Sequence, residues 1–389
     1  MSRIQIIGGG PAGLYLAYLL KKSKPSRQVQ VVEQNSRDAT YGFGVVFGSG
    51  VLERLMATED ACTAEIAAAA QSWSGQTITV GADSVFIDGG GFSGIARLTL
   101  LQILQRYCEN VGVQLRFTSR ITDVAALARD CDLLVGADGV NSVVRQAFGQ
   151  QLGAHSRVLG NRFAWYGVER PFETHALAFR RVQEGAFVAH YYRYTPTHST
   201  FLVECDRDTW DGKLAELTED ERRAVAARIF ERELDGRALL SNNSVWRSFV
   251  ASWTDRWSIG NVTLLGDALR SAHFSIGSGT RLAMRDASEL ARAMDDCDDQ
   301  VTGALEAYES QRRPGREAFA DAAEKSFLWY EDFAARLQQP ALDFTHDYLM
   351  RTGRMNAGRL RQESPLFMQR YEAYRNECAA PVVRAFSED

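Results

Sequence analysis

The sequence predicts an α/β fold: a Rossmann-like nucleotide-binding domain, interrupted by an inserted antiparallel β-sheet and followed by a helical C-terminal tail. Three observations predict it. A β-rich run at 4–7 breaks into Gly8-Gly9-Gly10-Pro11-Ala12-Gly13, and an apolar helix pattern follows. Between about 155 and 255 the texture changes to short alternating strands with turn signals. From 283 to the end the pattern is helical, with expected breaks at Pro314 and near Pro340.

Taken in order, Ile4–Ile7 is a strand, the helix runs to Leu20, Ser23 to Arg27 is a polar turn, and Val29–Val32 is a second strand ending at Glu33. That is a βαβ unit of the usual ~30 residues. A helix is expected over 94–110 and a strand over 113–117. Leu133-Leu134-Val135 is a buried strand that enters Gly136-Ala137-Asp138-Gly139, with a helix from Asn141. The inserted sheet is read in Phe163–Val168, Leu177–Val182, Ala186–Tyr194 and Thr200–Cys205. Thr263-Leu264-Leu265 returns the chain to the first domain. The expected organisation is therefore 1–155 for the first part of the nucleotide domain, with some inserted-domain strands around 70–95. The β-sheet domain follows at 156–255, the second part of the nucleotide domain at 256–330, and the helical region at 331–389.

At 389 residues the chain is long enough for two domains sharing an interface. A net charge of −5 speaks against a nucleic-acid surface. Six scattered cysteines without a C-x-x-C point to reduced thiols and a cytoplasmic protein, and no metal site is expected. A strand begins within three residues of Met1, so no signal peptide is expected, and Gly13 to Leu20 is too short an apolar stretch to span a membrane.

The chemistry begins at Gly8-x-Gly10-x-x-Gly13. Its glycines permit a tight turn, the helix N-terminus attracts a pyrophosphate, and Glu33, 20 residues after Gly13, can bond ribose hydroxyls. Pro11, Ala12 and Gln34 belong to the same candidate cofactor site. A second match, Gly89-Gly90-Gly91-Phe92-Ser93-Gly94, lacks an answering acid near Gln114 and reads as a flexible turn feeding a helix. In the first turn of that helix Arg97 could reach a phosphate or a ribityl chain. Asp138 and Asp267 each end a strand, where a carboxylate can accept hydrogen bonds from the hydroxyls of an extended chain. Beyond Asp267, Gly277, Ser278, Gly279 and Thr280 open a helix whose N–H groups can stabilise the charge of a reduced isoalloxazine ring.

The segments GGGPAG with Glu33, GADGVNSVVR and GDALRSAHFSIGSGTRLAMRDA together resemble the three fingerprints of single-component FAD-dependent aromatic hydroxylases, the relatives of p-hydroxybenzoate hydroxylase. The resemblance covers about residues 1 to 330. Within that family YGFGVVF (41–47), RFAWYGV (162–168), STFLVE (199–204) and HFSIGSGT look like the hydroxylase half of salicyloyl-CoA and anthraniloyl-CoA monooxygenases. They are also similar to the tryptophan-derivative hydroxylase of violacein biosynthesis. Ser275 stands near the place of a proline usual in the broader family, and the halogenase pattern G-W-x-W-x-I-P is absent.

The resemblance implies FAD as cofactor and NADPH or NADH as electron donor, with no second nucleotide domain. It implies transfer of one oxygen atom from O2 to an electron-rich ring in a dry pocket. The implied substrate is an aryl-CoA thioester. A free or tethered indole or phenolic intermediate is the runner-up, and a flavoprotein reductase or oxidase without oxygen insertion comes third. No nucleic-acid or membrane partner is expected, and a homodimer stays open. On the substrate side, His273 is a candidate to position or deprotonate the substrate, and Tyr192 a candidate on the sheet face that also carries Val188 and His190. Arg351, Arg354, Arg359 and Arg361 form either a site for CoA phosphates or a solvated helix face.

Overall fold

The structure is a computed structural model, which describes residues 2–48, 50, 60–277 and 279–379. Its first layer is a six-stranded sheet in the order Ser258–Ile259, Val262–Leu264, Leu133–Gly136, Arg3–Ile7, Gln28–Val32, Gln114–Arg116. All neighbours run parallel except the first pair. Ile4, Ile6, Val29, Val31 and Leu133 to Val135 are buried, as parallel strands covered on both faces require. Helix Pro11–Ser23 packs against helices Arg97–Asn110 and Gly279–Asp296. The fold is the α/β one that the sequence predicts.

The inserted sheet follows the order Leu239–Leu240, Ala154–Val168, Ser199–Cys205, Gly185–Arg193, His175–Val182, Gln76–Val80, Asp83–Ile87, with Arg247–Thr254 pairing onto Ala154–Val168. It is antiparallel with one exception. His175–Val182 and Gln76–Val80 pair in parallel, because the chain enters this sheet twice, once around 70–95 and again after 154. One face, with Phe187, Ala189 and Tyr191, is covered by Leu214, Ala226, Phe230 and Leu234. Those residues lie on or beside helices around 207–234 that the strand reading of 155–255 overlooked. The Thr218/Glu221 capping box announces one of them. The other face, with Leu177, Phe179 and Val188, is covered by the end of the long helix Val301–Glu331 and by the tail residues Phe344, Tyr348 and Phe367.

Two expectations are corrected. Pro314 does not break the helix but lies inside Val301–Glu331. A proline there forfeits a hydrogen bond at a cost of ~3 kcal/mol, and the buried ion pairs of Arg312 and Arg316 with Asp286 hold the helix across it. The second glycine motif feeds a strand, Phe92–Ala96, before the helix starts at Arg97. Ile95 is buried there, and the strand pairs with Gly44–Gly48 and Gln71–Trp73.

The same motif anchors the tail. A Cβ on Gly89 would run into the backbone carbonyl of Glu363. Beside it, Asp88 accepts hydrogen bonds from Leu366 N (3.1 Å) and Phe367 N (2.9 Å) at the start of helix Pro365–Ala379. Losing such a cap costs about 1 kcal/mol. The Asp88→Ala variant should therefore unfold about 1 kcal/mol more easily in urea and lose residues 365–379 first to limited proteolysis. Equal stability and equal cleavage would show that Asp88 does not hold the tail.

Candidate cofactor and substrate site

The three glycines of the first turn have separate duties. Gly8 has φ +112°, and a Cβ there would collide with the Ala137 backbone; one on Gly13 would collide with the Gly8 carbonyl. Both glycines let elements pack. A Cβ on Gly10 would meet nothing within 4 Å, so the backbone there borders open space. Helix Pro11–Ser23 begins at that point with Pro11 in its first turn and no side-chain cap, which leaves first-turn N–H groups for a ligand. Glu33 shapes the rim. It accepts hydrogen bonds from Gly9 N (2.8 Å), Asn35 N (2.8 Å) and Asn35 Nδ2 (2.7 Å). The cleft beyond is lined by Gly10, Glu33, Asn35, Ser36, Thr40 and Arg97. Gln34 is exposed and does not line it, because the bond between Asn35 and Glu33 turns the next side chain inward instead.

The second wall is the turn Gly266–Ala268, where Gly266 has φ +61° and is pressed between Ala12 and Ala283. Gly266 N donates to Asp286 Oδ2 (3.3 Å), and its carbonyl accepts from Arg316 Nη2 (3.0 Å). Arg145 donates to the carbonyls of Ala268 (2.6 Å) and Asp267 (3.3 Å), and also bonds the Val140 carbonyl. It thereby clamps the loop containing Asp138 onto the loop containing Asp267. Neither Arg145 nor the Asp286–Arg312–Arg316 cluster was read from sequence as part of the site; Arg145 and Asp286 lie inside the quoted fingerprints, whereas Arg312 and Arg316 lie beyond them. Asp138 caps helix Val143–Ala147 through Oδ2, with Val143 N at 2.6 Å. Its Oδ1 is buried without a partner.

These residues fit FAD on grounds internal to the structure. Arg97 Nε is buried with no partner. Asp267 is exposed at this turn, yet crowding by protein raises its carboxyl pKa, an effect opposed by Arg316, a backbone N–H of Ala272, and Arg97. Among the described residues no side chain donates a hydrogen bond to it. An unpaired guanidinium suits a pyrophosphate, and a carboxylate without a side-chain donor suits ribityl hydroxyls. Gly277 takes φ +57° at the end of a 3-10 turn, and helix Gly279–Asp296 follows with Gly279 and Thr280 in its first turn. A Cβ on Gly277 or Gly279 would meet a single neighbour, Val46 at 3.6 Å or Ala272 at 3.8 Å. Ser278 lies outside the described residues.

Behind this cradle sit three buried or half-buried histidines. His273 stacks near Phe249 and Phe274, His190 against Tyr330, and His175 against Phe92. Burial lowers all three, reinforced by the positive charge of Arg351: His175 to about 4, His273 to about 3, and His190 well below the ordinary range. His273 Nδ1 accepts from Ser275 N (3.2 Å) and lies 2.8 Å from Ser275 Oγ. A backbone N–H can only donate, so Nδ1 is the unprotonated nitrogen and Nε2 carries the hydrogen. Ser275 Oγ is 2.9 Å from Ser326 Oγ, which accepts from Arg351 Nε (3.1 Å).

Tyr192 is buried, and its hydroxyl donates to the Gly44 carbonyl at 3.0 Å. Arg351 points inward. It bonds the Ser275 carbonyl (2.8 Å) and the Tyr348 carbonyl (2.8 Å) and lies 3.7 Å over the Tyr348 ring. Arg359 pairs with Glu363 and Arg361 with Glu372, so the four tail arginines do not converge on one phosphate site.

A glycine turn answered by an acid, two further strand-end carboxylates and a glycine-led helix beside a buried aromatic cluster fit a flavoprotein that binds FAD. The comparisons agree with that class. The family model described as "FAD binding domain" matches residues 1–323, and the chain belongs to that family. It is 32% identical to salicyloyl-CoA 5-hydroxylase of a Streptomyces species, over 99% of this chain and 76% of that one. It is 35% identical to 3-hydroxy-4-methyl-anthranilyl-[aryl-carrier protein] 5-monooxygenase of Streptosporangium sibiricum, covering 84% and 89%. It is 32% identical to protodeoxyviolaceinate monooxygenase of Chromobacterium violaceum, covering 89% and 93%. The fold matches crystalline 2-methyl-3-hydroxypyridine-5-carboxylic acid oxygenase with a TM-score of 0.69 at 18% identity, over 90% of this chain and 96% of that one. The chain is an FAD-dependent aromatic monooxygenase. Among the described residues no helix is long and apolar enough to cross a membrane.

Two outcomes are expected. Gly10→Val fills the space that the turn leaves open, so the purified protein should be folded and colourless; full yellow colour at wild-type stoichiometry would remove Gly10 from the site. For the histidines, the folded-state pKa values of His273 (about 3) and His175 (about 4) lie below the ordinary 6.5. The unfolded chain therefore takes up these protons first. The stability they confer is complete above pH 6.5 and declines as pH falls from there towards 4. Urea unfolding between pH 7.5 and 5 should fall less steeply for His273→Gln than for wild type, by up to about 1.4 kcal/mol per pH unit. Parallel slopes would mean that His273 charges in the folded protein.

Proposed function

We propose that this enzyme hydroxylates the ring of an aromatic acid presented as a thioester, with NAD(P)H as electron donor and O2 as the oxygen source. Bound FAD supplies the electron transfer and the activation of O2. The chain supplies the rest. Gly10, the first turn of helix Pro11–Ser23 and Arg97 would hold the pyrophosphate, Glu33 and Asn35 the adenosine ribose, and Asp267 the ribityl chain. The N-terminal turn of helix Gly279–Asp296 would face the ring system with its free N–H groups.

The observation that carries the thioester reading is the charge state of the recess. His190 and His273 belong to one aromatic cluster around Phe274 and Tyr330, and all three histidines are held neutral mainly by burial. Arg351, the cation that adds to this, is already held by the Ser275 and Tyr348 carbonyls and Ser326. A free carboxylate buried there would find no unoccupied cation among these groups, whereas a thioester carbonyl needs only an N–H donor. His273 Nε2–H is such a donor, and its fixed tautomer makes it a positioning group and not a base. Two of the similar relatives named above act on acyl groups of this kind, carried on CoA or on a carrier protein. The match to protodeoxyviolaceinate monooxygenase supports the second reading, an indole-derived substrate.

Turnover across salicyloyl-CoA, anthraniloyl-CoA, the two free acids and tryptophan, followed by NAD(P)H consumption and product mass, tests the proposal. A thioester should gain one oxygen, with the free acid at least ~100-fold lower in kcat/KM, the equivalent of the ~3 kcal/mol an unpaired buried charge costs. Equal turnover of acid and thioester would overturn it, and turnover of tryptophan alone would move the enzyme to the indole reading.

A further inference from the structure

A second pocket, of about 220 Å³, lies apart from the flavin cleft, between the end of strand Arg247–Thr254 and the long helix. Its lining includes Trp253, Trp257, Arg270, Arg313, Arg316 and Glu317. Three guanidinium groups in one wall repel each other, and two of them are answered. Arg313 pairs with Glu309 and Glu317 and covers the Trp257 ring at 5.5 Å. Arg316, 3% exposed, pairs with Asp286 at 3.1 Å, yet its Nε has no partner. Arg270 has no ion-pair partner within 4 Å among the described residues. Only its backbone is hydrogen-bonded there: its N–H donates to Gly266 and its carbonyl accepts from Arg316. Burial and the charges of Arg316 and Arg313 depress its pKa, and Glu317 and Asp321 oppose them from a distance.

We propose that this pocket is an anion site that takes the phosphorylated ribose of an adenosine nucleotide. The free charge of Arg270 and the unpaired Arg316 Nε suit a phosphate ester. The volume exceeds that of a bare phosphate, and the indoles of Trp253 and Trp257 offer apolar wall to a sugar or base. The choice of adenosine nucleotide, though not the existence of the anion site, rests on the reading above, because both NADPH and CoA carry a phosphorylated adenosine ribose. The site also touches the cofactor turn. Arg316 bonds the Gly266 carbonyl, and Arg270 lies three residues before His273.

The test uses FAD-loaded enzyme, so that the flavin cleft is already filled. Adenosine 2′,5′-bisphosphate and adenosine 3′,5′-bisphosphate are titrated calorimetrically, each with and without excess inorganic phosphate. One of them should bind one-to-one, the first pointing to the reductant and the second to the thioester. Arg270→Gln should weaken that binding about 10-fold or more, and Arg270→Lys should restore part of it with the flavin spectrum unchanged in both. Failure of both nucleotides to bind, or binding indifferent to Arg270→Gln, overturns the proposal. Binding of either nucleotide without turnover of any thioester would leave the pocket standing and remove the substrate reading alone.

Discussion

The site depends on a carboxylate that never meets water. Asp286 is fully buried between Arg312 and Arg316, and with Arg316 it holds both backbone polar groups of Gly266. Desolvating three charges is expensive, and such a cluster contributes little net stability compared with apolar packing. What it provides is position. The Gly266 turn has φ +61°, close neighbours in Ala283 and Ala12, and an exposed carboxylate next to it on Asp267. A hydrophobic contact has no direction and could not hold that orientation, whereas hydrogen bonds from a charged group do. The same arginines lie on either side of Pro314 and carry the helix across it. One buried charge cluster thus explains the fixed turn, the unbroken helix and the residual positive charge that Asp267 feels.

What was legible in the sequence was the part governed by local rules. The turn at Gly8–Gly13 is a matter of φ values and Cβ clearance, and those are written in the glycine spacing. Glu33 ends a strand at the distance that a βαβ unit imposes. Asp267 and the glycines before helix Gly279–Asp296 follow the same logic. What was not legible depended on contacts distant along the chain. Gln34 and Asn35 are adjacent and both polar, and only the bond from Asn35 to Glu33 decides which one faces the cleft. Pro314 signals a helix end unless a partner 26 or 30 residues away holds the flanking turns. Gly89 is a nucleotide-type glycine by pattern and a packing glycine in fact, because the tail lies against it.

The tail shows why surface and interior cannot be told apart by charge alone. Arg351 and Arg361 are ten residues apart in the same arginine-rich stretch. Arg361 pairs with Glu372 at the surface. Arg351 is drawn inside because Tyr348, one turn earlier, offers it a ring face at 3.7 Å and a carbonyl at 2.8 Å. A cation can leave water only where several partners replace its hydration together.

That inward arginine ties the tail to the surroundings of His273. Arg351 bonds the Ser275 carbonyl, and through Ser326 it also reaches the Ser275 hydroxyl, which lies against Nδ1 of His273. The Ser275 N–H sets the tautomer of His273, and Arg351, at the C-terminal end of helix Ala341–Met350, braces Ser275 from the other side. Burial keeps the three histidines neutral, and the positive charge of Arg351 adds to it. One residue outside the FAD-binding family match thus braces the serine that fixes the protonated nitrogen of His273 and adds a positive charge beside the aromatic cluster. Under the proposed thioester reading, a change in how the tail docks would alter substrate preference while leaving the nucleotide-binding half unchanged.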